Sequence, residues 1–153
     1  MTRPVRPFYI WVARLAVGGL FLAACLSKIH DPQAFALVVY RYRLLPDILI
    51  NIMAILLPWM ECVTALAVLF ATARWRAAGS FLIGGMLLVF TLAISLNLIR
   101  GIEISCGCFS TRADVAVSDG WNLFRNVALI WLSTVVFLDA FRRMQAQAEE
   151  RPS

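Results

Sequence analysis

Charge is what this sequence has least of. Only 15% of its residues are charged, where a soluble domain carries about 25%. Histidine is nearly missing, since His30 stands alone, and the four cysteines do not fall into zinc-finger spacings; a four-ligand structural zinc site is therefore disfavoured. No stretch alternates apolar and polar residues, which argues against a membrane β-barrel. Internal repeats and low-complexity tracts are absent too. So is a continuous basic stripe, although the net charge is +5. The arginines sit instead in pairs at the ends of apolar runs: Arg3 and Arg6, Arg41 and Arg43, Arg74 and Arg76, Arg142 and Arg143. That placement marks the edges of membrane spans rather than a nucleic-acid surface. No nucleic-acid partner is expected.

What the chain does have is apolar surface. Hydrophobic residues make up 61% of 153, the mean hydropathy is +0.80, and a soluble fold this small exposes too much of its chain to hide them. The solvent that fits is lipid. Spanning a bilayer takes about 20 mostly apolar residues per helix, and four runs qualify, at about 8–29, 48–73, 77–99 and 121–141. Helices satisfy their own backbone hydrogen bonds in hydrocarbon. The expected fold is thus all-α: an integral membrane bundle of four transmembrane helices forming one domain over 1–144, followed by a polar tail at 145–153 that should fray. Gly18, Gly19, Gly84 and Gly85 are candidates for close helix approach.

Orientation follows from the basic residues of the short segments. The N-terminal arginines, Arg74 with Arg76, and Arg142 with Arg143 share one side if both termini are cytoplasmic. Two connections then face outward. The first, around 30–47, contains Tyr40-Arg41-Tyr42-Arg43 and has the character of a short interfacial helix. The second, around 100–120, holds Cys106-Gly107-Cys108-Phe109. The string Leu22-Ala23-Ala24-Cys25 resembles a lipoprotein cleavage box, but the preferred reading keeps Cys25 as an internal thiol.

Cys106 and Cys108 are the sharpest chemical signal. Two thiols one residue apart in an oxidising compartment can close into a small ring, and Gly107 eases the backbone between them. Strained, exposed disulfides tend to be labile and catalytic. A permanent clip gains little from so short a loop, and two thiolates can also hold a soft ion such as Cu(I), Hg or Zn. Redox exchange, metal handling and an inert clip all remain open on the residues alone, with redox exchange preferred. Cys25, near the outer end of the first run, could approach that loop as a resolving or relay thiol. Cys62, near mid-helix, reads as a small apolar filler.

Glu61 is the second signal. A carboxylate near a helix centre in lipid costs about 2.5–3.5 kcal/mol on insertion scales, so it should face the bundle interior with a partner or a proton. Asn97, Asn51 and Arg14 are the expected partners, and Pro58 is expected to kink the helix nearby. Such a group could hand a proton to a thiolate or a reduced quinone; the plain alternative is an interhelical hydrogen bond. Arg14, Lys28, Arg100 and Arg125 are expected to snorkel toward the helix ends.

Several short motifs together resemble the MauE, or methylamine-utilisation, family within the wider DoxX-like group. They are Ser27-Lys28-Ile29 with Asp31-Pro32 and Phe35, then Tyr40 and Leu44-Leu45-Pro46. Leu57-Pro58-Trp59-Met60-Glu61 and Arg100-Gly101 follow, and most specific of all is Cys106-Gly107-Cys108-Phe109. Ser110 departs from the glycine many members carry there. The resemblance implies a redox-associated, four-helix protein of the bacterial inner membrane. It also implies a Cys106–Cys108 couple facing the periplasm that exchanges disulfides with a thioredoxin-fold partner. MauE itself is linked to maturation of the disulfide-rich small subunit of methylamine dehydrogenase. The expectation is therefore a thiol–disulfide oxidoreductase serving a disulfide-containing client, with Cys106, Cys108, Glu61 and Cys25 as its working residues. A bound quinone is one candidate electron acceptor, though no quinone motif is present. A non-catalytic assembly factor and a soft-metal handler are the alternatives.

Overall fold

A computed structural model describes residues 8–43, 46–100 and 119–149. Five helices follow one another: α1 (Phe8–His30), α2 (Pro32–Arg41), α3 (Asp47–Phe70), α4 (Ala73–Ile99) and α5 (Asp119–Glu149). No strand occurs among the described residues. All but α2 are long and apolar enough to cross a membrane. At about 1.5 Å of rise per residue, even α1, with 23 residues, exceeds the roughly 30 Å of a hydrocarbon core. The protein is an all-α, four-helix membrane bundle.

Local sequence sets the breaks. Asp31 caps α2, its carboxylate accepting from the Ala34 amide at 3.0 Å, and Pro32 fills the first turn, where a missing N–H costs nothing. Between α3 and α4 the chain reverses over Ala71 and Thr72 alone, both in extended backbone. Pro58 does not interrupt α3, which continues as helix on both sides of it. At the far end α5 runs past the expected limit at Phe141 to Glu149. Arg143 supports that extension by pairing with Asp139 one turn earlier, at 3.1 Å.

The long helices form an antiparallel ring in which α1 adjoins α3 and α5, and α4 adjoins the same two. Ala13, Val17 and Phe21 of α1 meet Ala65 and Val68 of α3, Ile83 and Leu87 of α4, and Leu129 and Val136 of α5 in one core. The short helix α2 lies against the first half of α3, where Phe35 packs on Ala54 and Leu57. With the chain alternating direction, the end of α1, all of α2, the start of α3, the end of α4 and the start of α5 share one end of the bundle.

Polarity is inverted relative to a soluble protein. Leu15, Leu26, Ile55, Val63, Phe81, Leu92 and Trp131 point outward, while Arg14, Lys28, Glu61, Arg76, Ser80, Asn97, Asn122, Asn126 and Ser133 are buried between helices. Hydrocarbon around the bundle accounts for this directly: apolar side chains lose nothing by facing it, and polar ones can find partners only inside. Ser133 makes one such bond, its hydroxyl donating to the Ser80 carbonyl across α5 and α4 at 2.7 Å.

Two of the backbone contacts depend on glycine. A Cβ on Gly79 would lie 3.1 Å from the Thr64 carbonyl oxygen and 3.1 Å from the Ala67 Cβ, and one on Gly18 would run into the Leu69 side chain. Gly84 has only Ser133 near it, at 3.8 Å, and Gly19 and Gly85 face open space. The expected close approach thus holds at Gly18, is absent at Gly19 and Gly85, and occurs also at Gly79, a position outside the glycine pairs. Gly79→Val should therefore lower stability by about 1–3 kcal/mol through overpacking, and Gly85→Val should leave it nearly unchanged. Thermal unfolding of the two variants in detergent micelles compares them, and equal losses would contradict the packing described.

Candidate functional site

The most unusual element of the interior is an ion pair. Lys28, at the last turn of α1, places its Nζ 2.5 Å from Oε1 of Glu61 on α3. Both side chains are buried, at 1% and 2% exposure. Two aromatic rings face the ammonium: the Phe35 centroid of α2 lies 4.9 Å from Nζ and the Phe90 centroid of α4 lies 5.6 Å away. Their π faces favour a cation that has left water. Phe35 reaches this position because the Asp31 cap and Pro32 start α2 immediately after α1 ends. The short helix thereby covers the pair from that end of the bundle.

These positions correct the expected ones. Lys28 does not snorkel: its stem is directed inward, and it supplies the partner for which Asn97, Asn51 and Arg14 were the expected candidates. Arg14 is buried as well, donating from Nε to the Val68 carbonyl at 3.1 Å and from Nη2 to that of Leu69 at 2.5 Å. It thus ties α1 to the last turn of α3, where carbonyls lack helical donors. Arg125 is half-buried and Arg100 lies exposed as the C-cap of α4. One signal for Lys28 was present in the chain: it is the sole lysine, all other fixed positive side chains being arginine.

Behind the ion pair lies a small cavity lined by Phe21, Ala24, Glu61, Leu87, Phe90, Asn126 and Leu129. Its free space, about 10 Å³, is near the minimum for a single water. Glu61 Oε2 and both amide atoms of Asn126, a residue 1% exposed, have no hydrogen-bond partner among the described residues. Buried polar atoms are seldom left so. A water in the cavity would serve them and would give the carboxylate a proton-carrying neighbour.

Thiols flank the same carboxylate. Cys62 follows Glu61 on α3, and Cys25 of α1 is fully buried, at 0% exposure. The Cys25 side chain lies near Cys62, Glu61 and Lys28. Its Sγ also donates to the Leu22 carbonyl at 3.1 Å. Both cysteines are free thiols. Of the four residues expected to do chemistry, Glu61 and Cys25 share one site between α1 and α3. Cys106 and Cys108 lie outside the described residues, as do Arg3 and Arg6. Among the described residues no cluster of three or more metal-ligating side chains occurs.

The model of the family described as "Methylamine utilisation protein MauE" matches residues 6–139. This chain belongs to the MauE family. It is 34% identical to "Methylamine utilization protein MauE" of Paracoccus denitrificans over 134 residues, which is 86% of this chain and 70% of that protein. The protein of the same name from Methylophilus methylotrophus is 32% identical over 131 residues, 85% of this chain and 68% of its own length. That from Paracoccus versutus is 36% identical over 125 residues, 81% and 65% respectively. No solved structure matches the chain. For this MauE-family member the model match encloses α1 to α4 whole, so Lys28, Glu61, Cys25 and Cys62 all fall within it.

The ion pair makes a quantitative prediction. Losing one partner leaves a buried charge uncompensated, a loss of about 3–5 kcal/mol, whereas replacing both with apolar groups is often neutral. Lys28→Met and Glu61→Leu should each destabilise the bundle by roughly that amount, and the double variant should recover most of the loss. Unfolding measured on all three in the same micelles decides it; additive losses in the double variant would mean that the two charges do not depend on each other.

Proposed function

We propose that this protein is a membrane thiol–disulfide relay. Cys106 and Cys108 alternate between dithiol and disulfide and exchange with a thioredoxin-fold protein outside the cytoplasm. In bacteria this puts the chain in the inner membrane with both termini inside and the connection between α4 and α5 on the periplasmic side. The exchange supports maturation of a disulfide-containing client. The names of its relatives connect that task with methylamine utilisation.

The observation that carries the reading is the company Glu61 keeps: a buried carboxylate, an ammonium and two thiols gathered between α1 and α3. A purely structural bundle has no need of such a cluster in lipid, where each ionisable group is costly, and functional sites are where such groups collect. The cluster lies on α1 and α3, which share one end of the bundle with the end of α4 and the start of α5, and Cys106-Gly107-Cys108 falls between those two helices in the sequence. In the exchange, the thiolate of one cysteine attacks the partner's disulfide, a mixed disulfide forms, and the second cysteine resolves it. Glu61 is the proton-handling group within the bundle on this reading.

Single-cysteine trapping provides the test. Cys108→Ser, expressed in its native membrane, should accumulate a mixed disulfide between Cys106 and a thioredoxin-fold protein. The adduct should disappear on reduction and be absent from Cys106→Ser/Cys108→Ser. If neither single variant forms an adduct and client maturation continues in the double variant, the relay is wrong. A double variant that blocks maturation without any adduct in the single ones would identify a non-catalytic assembly factor.

A further inference from the structure

The buried stripes of α4 and α5 change character along their length. On α4 the stripe runs Ile83, Leu87, Ile94, Asn97; on α5, read in the same direction, it runs Val136, Leu129, Asn126, Asn122. Spacings of three, four and seven residues keep each set on one face. In the middle of the bundle both stripes are apolar and meet in the common core. Toward the end where α4 closes and α5 opens they carry amides instead. Leu87 with Leu129, and Phe90 with Asn126, line the cavity behind Glu61, which sets the antiparallel register. Counting outward from there, Asn122 stands four residues, or about 6 Å, beyond Asn126, and Asn97 seven residues, or about 10 Å, beyond Phe90. The order along the axis is therefore Glu61 and Asn126, then Asn122, then Asn97, with Arg100 exposed three residues further on.

Asparagine between membrane helices ordinarily bonds a neighbouring helix. These three fall short of that. Asn97 and Asn126 leave both amide atoms without a hydrogen-bond partner among the described residues, Asn122 leaves its Nδ2, and Glu61 leaves its Oε2. The amides are only 1–2% exposed. A row of leucines would fill the same space without that cost; what the amides offer instead is a place for water. An amide both donates and accepts, and it carries no charge, so it suits a water molecule better than an ion. Levels about 4–6 Å apart lie within reach of one water bonding to both sides at about 2.8 Å each.

We infer that Asn126, Asn122 and Asn97 form a hydrated seam that carries protons between Glu61 and the water at that end of the bundle. Lys28 passes a proton from Nζ to Glu61 Oε1, the carboxyl turns about its Cγ–Cδ bond, and the proton leaves to water on the seam side. Another returns by the reverse route, so the pair keeps its charge. To the extent that these protons serve thiol exchange, the inference rests on the relay proposed above; the seam itself does not.

Lys28 is the sole lysine, so its ammonium gives a single resonance in the full chain made with isotopically labelled lysine. The protein is reconstituted in lipid vesicles and moved into heavy water, and the ammonium protons are followed by magic-angle-spinning NMR. In the wild type they should exchange well before the backbone amides of core residues such as Val17 and Phe21. Asn122→Leu/Asn126→Leu should slow that exchange by at least an order of magnitude while backbone protection is unchanged. Asn126→Ser, which keeps a small polar group and room for water, should exchange at nearly the wild-type rate, a division that a merely structural amide would not produce. Asn122→Leu alone carries the same expectation if the double leucine variant does not fold. Cys106→Ser/Cys108→Ser should behave as the wild type does, which separates failure of the seam from failure of the relay. Ammonium protons retained in the wild type as long as the core amides would mean a dry seam and overturn the inference. So would a folded leucine variant that exchanges as fast as the wild type, since the protons would then pass by another route.

Discussion

Two opposite charges held 2.5 Å apart out of water constrain this bundle more than any apolar contact does. Neither Lys28 nor Glu61 could be carried alone between helices in hydrocarbon, because an isolated ion there keeps its full desolvation penalty. Together they are tolerable, and only in one arrangement of α1 against α3. Much of the local geometry follows from that arrangement. Phe35 and Phe90 close over the ammonium, which requires α2 to fold back along α3, and the Asp31 cap with Pro32 starts that helix at the right place. Glu61 is left with one uncommitted oxygen facing Asn126 across a water-sized cavity.

Around this pair the bundle is organised by the solvent it lives in. Polar side chains turn inward: Arg14 and Arg76 bond carbonyls at the α3–α4 reversal, and Ser133 crosses to Ser80. Apolar association between helices has little driving force in lipid, so close packing at small residues and interhelical hydrogen bonds carry the specificity. Gly79 against Thr64 and Gly18 against Leu69 are where that closeness is spent. The result is a scaffold in which an ionisable cluster and two cysteines lie at one interface.

A good part of the fold was legible from residues alone. Apolar runs long enough to span, with arginines at their ends, identify the four long helices whatever their packing, since span length and charge placement are local properties. A short helix in the first connection was suggested by its sequence, and α2 is there, though its role as the cover over Lys28 was not. Glu61 was readable as a site because a mid-helix acid in lipid always demands an explanation. Its partner was not readable. A lysine near a helix end has two outlets, the interface or the interior, and the choice depends on what the neighbouring helix presents at that level.

Sequence by itself determined that this protein lives in a bilayer, how many times it crosses, and which residues are too costly to be accidental there. Hydrophobic length, capping residues and charge all act over a turn or two of chain, so they can be read in order along it. Tertiary structure alone decided which costly residues compensate one another. The approach of Lys28 to Glu61 spans 33 positions of chain, and is fixed by how two antiparallel helices slide and rotate against each other.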